Sequence, residues 1–267
     1  MTEPGMTEPG VPEPGVTRLL GRFVADVSAA VPLVALWAHG SLALGDFQPG
    51  RSDLDLVALV GTVPTEARRE RLRALHQQLF AEAPFADKLH CTYLPRQGVA
   101  DAARSHPTWA LGEWFERPVS PVGRRELTTG ALVLTGPSPA DELPGVSDAE
   151  LTAFIRRDLR DYWLPVTAEP DLWLRDVWVD AAMLTFARAS VTLRDGRLIT
   201  KREALDELRA QGAPAAVTDD IHRRRYGAAD GPGTEQWLHQ RGELAREFVR
   251  AGIEASTESP RRPPEPA

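Results

Sequence analysis

The stretch His39-Gly40-Ser41-Leu42-Ala43-Leu44-Gly45-Asp46, continued by Arg51-Ser52-Asp53-Leu54-Asp55-Leu56, decides the reading of this chain. Asp53 and Asp55 are two positions apart, so on a strand their side chains leave the same face. Leu54, Leu56, Val57 and Leu59 around them mark that strand as mostly buried. Two carboxylates sharing one face repel each other unless solvent or a cation separates them. Hard oxygen donors with open coordination positions suit Mg²⁺, which keeps water and substrate phosphates as its other ligands. Upstream, residues 33–38 form a short apolar run, too short for a helix of its own and read as a buried strand. Gly40 and Ser41 end it with small residues, leaving room for backbone N–H groups to approach a phosphate. An Asp-x-Asp pair alone also suits a solvated edge. The full combination of apolar strand, Gly-Ser, an eleven-residue interval and Asp-Leu-Asp-Leu in a second apolar strand points to nucleotidyl transfer.

Working outward, leucines, valines and Phe23 recur at helical spacing over residues 16–30. The pattern gives a strand at 53–60, a helix at 65–80 with Leu72, Leu75 and Leu79 on one face, and a strand at 88–94. This order predicts an N-terminal domain with a mixed β-sheet flanked by helices, over residues 17–122. Beyond it strand signals fade. Helices are predicted at 147–163, with Ser147 as N-cap and Glu150 at the capping-box position, and at 172–193, 200–211 and 233–255. The fold class is α+β, with a C-terminal helical bundle over 123–255 and a ligand cleft expected between the domains. Residues 1–16 repeat Pro, Glu and Gly, and 256–267 are rich in proline and small polar residues. Both are expected to be disordered tails.

Composition narrows the class. The 267 residues carry 31 Lys and Arg against 38 Asp and Glu, a formal charge of −7. An acidic chain is a poor match to a nucleic-acid backbone, and the run His222-Arg223-Arg224-Arg225 reads as a solvated face. The single cysteine, Cys91, excludes an internal disulfide and a cysteine-based zinc site. No apolar run approaches the roughly 20 residues that span a bilayer, and the N-terminus lacks the pattern of a signal peptide. A cytoplasmic monomer is the expectation, without nucleic-acid or membrane partners.

Gly40-Ser41 followed by Asp53-Leu54-Asp55 resembles the signature of the polymerase-β-like nucleotidyltransferase superfamily. Leu111-Gly112-Glu113-Trp114, Leu132-Val133-Leu134-Thr135-Gly136-Pro137, Leu184-Thr185-Phe186-Ala187-Arg188 and Gly196-Arg197-Leu198-Ile199-Thr200-Lys201 resemble, in the same order, the aminoglycoside (3'')(9) adenylyltransferases. The resemblance implies ATP as co-substrate and two Mg²⁺ ions held by Asp53 and Asp55. It implies a nucleotide segment containing Gly40, Ser41 and Ser52, and a basic pair, Arg188 and Lys201, for the triphosphate. The implied acceptor is a small hydroxyl compound of the streptomycin or spectinomycin type. Trp114 matches a family tryptophan near the acceptor, with core packing as its other reading. Asp176 and Asp180 are four apart on one helix face and resemble the family's acidic helix residues.

One position departs from that pattern. The family's third strand carries a glutamate that serves as base, whereas here it reads Asp87-Lys88-Leu89-His90-Cys91-Thr92-Tyr93-Leu94. His90 takes the glutamate position, and Asp87 lies nearby on the opposite strand parity. Either His90 or Asp87 is expected to take the proton, since histidine is a capable base near neutral pH. The change leaves open another metabolite or a protein side chain as acceptor, or a non-catalytic nucleotide-binding relic of the fold.

Overall fold

The computed structural model describes residues 13–101, 103–227 and 233–257. The described residues divide into two compact units, one ending at Val146 and the other beginning at Ser147. Among the described residues no helix is long and apolar enough to cross a membrane.

The first unit contains helix α1 (Pro14–Ala30), strand β1 (Leu33–His39), the single turn α2 (Gly40–Ala43), strand β2 (Leu54–Val60) and helix α3 (Glu66–Glu82). Strands β3 (Leu89–Pro95), β4 (Ser105–Ala110) and β5 (Glu113–Pro118) follow, then helix α4 (Pro121–Gly130), strand β6 (Leu132–Thr135) and the short helix α5 (Pro139–Glu142). The six strands form one sheet in the order β5-β4-β3-β2-β1-β6. Only β2 and β3 run parallel. A mixed sheet of this kind is what the alternation of helices and strands predicted.

Strand parity sorts the core into two layers. Leu36, Ala38, Leu54, Leu56, Cys91 and Tyr93 pack against Phe23 of α1 and Leu72 of α3 on one face. Ala35, Trp37, Val57, Leu59 and Leu94 pack with Leu127 of α4 and Leu143 on the other. The odd-numbered residues of β1 and β2 therefore share the α4 face, and this is the face that Asp55 and His39 leave.

Strands β4, β5 and β6 were not legible as such. β5 is an edge strand whose residues are mostly exposed, so it carries no apolar alternation. β6 has only four residues and pairs with β1. Beyond it Gly136, at φ +83°, lies directly on the carbonyl of Val34, and Trp37 donates its indole N–H to the carbonyl of Pro137 (2.8 Å). These contacts carry the first compact unit to Val146, past the boundary expected at 122. The N-terminal tail is also shorter than expected, because α1 already begins at Pro14 and Val16 is fully buried. Residues 1–12 and 258–267 of the two expected tails lie outside the described residues.

The second unit is helical. It comprises α6 (Asp148–Asp158), a π-helical turn at Leu159–Trp163, α7 (Leu164–Val166), a 3₁₀ turn at Pro170–Leu174, α8 (Asp176–Asp195), α9 (Lys201–Ala210), α10 (Ala215–Tyr226) and α11 (Glu235–Thr257). Ser147 caps α6 through the N–H of Glu150 (3.1 Å). Thr200 and Glu203 form a reciprocal capping box at α9, and Gly196 ends α8 in the left-handed conformation that a glycine adopts without strain. α10 went unread because its Arg-rich stretch shows little apolar periodicity.

Candidate active site

Register places three chemically active side chains in one row. His39 of β1 lies opposite Asp55 of β2, and Asp55 lies opposite His90 of β3. Directly paired residues share a face, so all three point to the α4 side, together with Asp53 just before β2. Asp53 and Asp55 are 39% and 33% exposed, so both carboxylates reach solvent from the end of a buried strand.

The loop above them is tightly built. Gly40, at φ +64°, leaves room for Asp55, since a Cβ there would meet Asp55 Oδ2 at 3.0 Å, and the N–H of Asp46 donates to the carbonyl of Ser41 (2.9 Å). Ser52 is buried and closes the loop from its other end. Its hydroxyl accepts from the N–H of Gln48 (3.0 Å), while its own N–H donates to the Gln48 carbonyl (2.8 Å). The stretch 40–52 is thus held on both sides of the two carboxylates.

His90 is nearly buried, 10% exposed, and lies between the carboxylates. Its Nδ1 is 3.5 Å from Oδ1 of Asp55, and its Nε2 is 4.0 Å from Oδ1 of Asp53, without a hydrogen-bond partner. Asp87 sits apart from this row, exposed in the 3₁₀ turn Ala86–Lys88 that precedes β3.

Sequence reasoning gave His39 and Glu126 no role. His39 Nδ1 is 2.9 Å from Oε2 of Glu126 on α4, and Glu126 is 8% exposed. The signal for His39 was its place immediately before Gly40-Ser41. Glu126 left none, because nothing local reveals that a glutamate on an otherwise polar helix turns inward.

Trp114 is not brought to the row. It packs with the α1 and α3 layer, on the opposite face of the sheet, 5.8 Å from the Tyr93 ring and 6.3 Å from His76, with the Arg73 guanidinium 5.7 Å from its own ring. Its reading as core packing is the one this geometry favours. Cys91 belongs to the same layer, where burial pushes its thiol up to about 12 and leaves it unreactive.

In the second unit, Arg188 of α8 donates Nε–H to the carbonyl of Ile199 (2.9 Å), two residues before Lys201 opens α9. Asp176 and Asp180 meet arginines of their own chain. Arg224 pairs with Asp180 and Asp220, and Arg241 with Asp176 and Asp220. Burial raises the Asp180 carboxyl above its usual range, and the Arg224 charge opposes that shift. The arginine run 223–225, expected on a solvated face, thus supplies an internal partner through Arg224.

Among the described residues no group of three or more His, Cys, Asp or Glu is assembled that could hold a metal ion. Two half-exposed carboxylates nevertheless fit Mg²⁺ arriving with a nucleotide, whose phosphates and water complete the shell.

No protein-family model matches the sequence, and no curated protein matches it. The fold is similar to that of spectinomycin adenyltransferase AAD(9) from Enterococcus faecialis, whose crystal structure contains ATP and spectinomycin. The TM-score is 0.69 at 13% identity, covering 89% of this chain and 99% of that one. The α+β architecture, a mixed sheet followed by helices, is common to both.

Proposed function

We propose that this chain is a Mg²⁺-dependent nucleotidyltransferase that moves AMP from ATP to a hydroxyl of a small polar acceptor and releases pyrophosphate. The observation that carries this reading is the pairing of Asp53 and Asp55 on one strand end, with Gly40 leaving room for Asp55, within an adenyltransferase fold. Asp53 and Asp55 would hold the divalent ions. Those ions would neutralise charge on the triphosphate and on the oxygens entering and leaving phosphorus. Gly40 and Ser41 present backbone N–H groups to the phosphates, and Ser52 fixes the loop that presents them. By the resemblance, Arg188 and Lys201 would be the basic pair for the triphosphate. His90, with both ring nitrogens turned to carboxylates, suits holding Asp53 and Asp55 in register more than meeting a substrate.

The acceptor read first is an aminoglycoside or aminocyclitol of the streptomycin or spectinomycin type. A second reading, the same chemistry on a different hydroxyl compound, has its own support. Asp176 and Asp180 already face Arg241 and Arg224, so their charge is matched within the chain rather than available to a cationic drug.

The test is pyrophosphate release from ATP and Mg²⁺ with each antibiotic, alongside ATP binding, with Asp53→Asn as control. Antibiotic-dependent release that the control lacks supports the first acceptor class. Mg²⁺-dependent ATP binding without release supports the second. A chain that binds no Mg²⁺–ATP is not a nucleotidyltransferase.

A further inference from the structure

We propose that His39, held by Glu126, is the catalytic base that takes the proton from the acceptor hydroxyl. This rests on the nucleotidyl-transfer reading above and adds a catalytic residue to it.

His90 occupies the strand position expected for a base, yet its surroundings do not suit that task. Its Nδ1 faces Asp55, and its Nε2 is buried and faces Asp53. Neither nitrogen opens toward an incoming molecule. Asp87 is outside the row altogether. His39 sits on the other flank of Asp55, one strand over, and points to the same face. Its ring is 18% exposed, and only one of its nitrogens is committed, to Glu126 at 2.9 Å. In the proposed scheme Nδ1 donates to Glu126, and Nε2 of the neutral ring keeps its lone pair. A buried carboxylate that orients an imidazole and fixes its tautomer is the arrangement by which a histidine is set up as a base. Glu126 itself touches no substrate in this scheme and acts as a positioning residue.

The tie between α4 and β1 ends on the residue immediately before Gly40-Ser41 and in register with Asp55.

In the step itself, the acceptor O–H bond breaks and its proton passes to Nε2 of His39. The freed electron pair forms the bond from the acceptor oxygen to the α-phosphorus. The bond from that phosphorus to the bridging oxygen breaks, and its electron pair leaves with pyrophosphate. The proton returns from the ring to solvent.

The test uses the full chain with isotope-labelled histidine nitrogens. Long-range proton–nitrogen spectra at neutral pH, with His39 assigned by its loss in His39→Gln, read the tautomer without needing an acceptor. The expected result is a proton on Nδ1 and a bare Nε2, changing to a mixture of tautomers in Glu126→Gln. A proton on Nε2 in the wild type, or a tautomer indifferent to Glu126→Gln, overturns the proposal. Where streptomycin or spectinomycin is turned over, His39→Gln lowers kcat about 100-fold while ATP binding persists. Retained turnover in folded His39→Gln also overturns it. Loss of Mg²⁺–ATP binding by the wild type would sink the underlying reading as well. Normal ATP binding with the wrong tautomer sinks this inference alone.

Discussion

Gly40 lies against the carboxylate of Asp55: a Cβ at Gly40 would come within 3.0 Å of Oδ2, and its φ of +64° is one that side chains other than glycine rarely adopt. Gly40→Ala therefore meets two penalties at once. The left-handed backbone costs about 1–2 kcal/mol for a residue with a Cβ, and the methyl group pushes on a carboxylate that would hold metal. Thermal unfolding should show a loss of about that size. ATP-dependent pyrophosphate release should fall more than tenfold, since small displacements at a reacting centre are costly. An alanine variant with wild-type turnover would mean that the position of Asp55 is unimportant.

Arg241 is 1% exposed and is surrounded by Asp176, Asp220 and the carbonyl of Leu174. Through these partners α11 is joined to α8, to α10 and to the turn before α8. Arg241→Met removes one of the three arginines around buried Asp220, leaving Arg223 and Arg224 to match it, and should cost about 1–3 kcal/mol. Adding Asp220→Asn should deepen that loss, because the Arg224 guanidinium then loses its buried carboxylate. Urea unfolding of the two single variants and the double variant measures the coupling. Strict additivity would show that the network contributes nothing beyond its separate side chains.

Trp114 packs on the sheet face opposite Asp55 and His90, among His76, Tyr93 and the Arg73 guanidinium. Trp114→Leu should lower stability by about 1–3 kcal/mol through lost aromatic area. The KM for any acceptor, measured on the folded fraction, should stay within about twofold of wild type. A selective rise in acceptor KM without a stability loss would place Trp114 at the substrate after all.

What was legible in the sequence follows from which signals are local. Asp53 and Asp55 announce themselves because a strand has period two, and their apolar neighbours fix that strand as buried. Ser147 and Thr200 were readable as helix starts because caps act within three residues. By contrast, His39 and Glu126 are 87 positions apart, and Asp180 and Arg224 are 44 apart. No spacing rule joins such residues; the fold alone brings β1 under α4 and α8 beside α10. β6 was missed for a related reason. Four residues are too few for a period, and their pairing with β1 depends on the close approach of Gly136 to Val34.

His76 supplies a pH dependence whose sign can be worked out. It is 1% exposed on α3, stacked on Trp109 at 5.0 Å, with Nε2 at 2.8 Å from the Tyr93 hydroxyl. Burial lowers its pKa to about 3, because a charged imidazole there would lose its water. In the unfolded chain the same group titrates near 6.5. Between these values the unfolded state binds one more proton than the folded one, so protonation favours unfolding. The contribution of His76 is complete above the unfolded pKa and is lost as pH falls toward 3, at up to about 1.4 kcal/mol per pH unit. His106, also lowered by burial, acts in the same direction. His76→Gln keeps a side chain able to bond Tyr93 but does not titrate. Urea unfolding between pH 6.5 and 4 should therefore show a shallower decline in the variant, by close to one proton. An unchanged slope would mean that the His76 ring is already charged in the folded protein, and the buried stack on Trp109 would have to be abandoned.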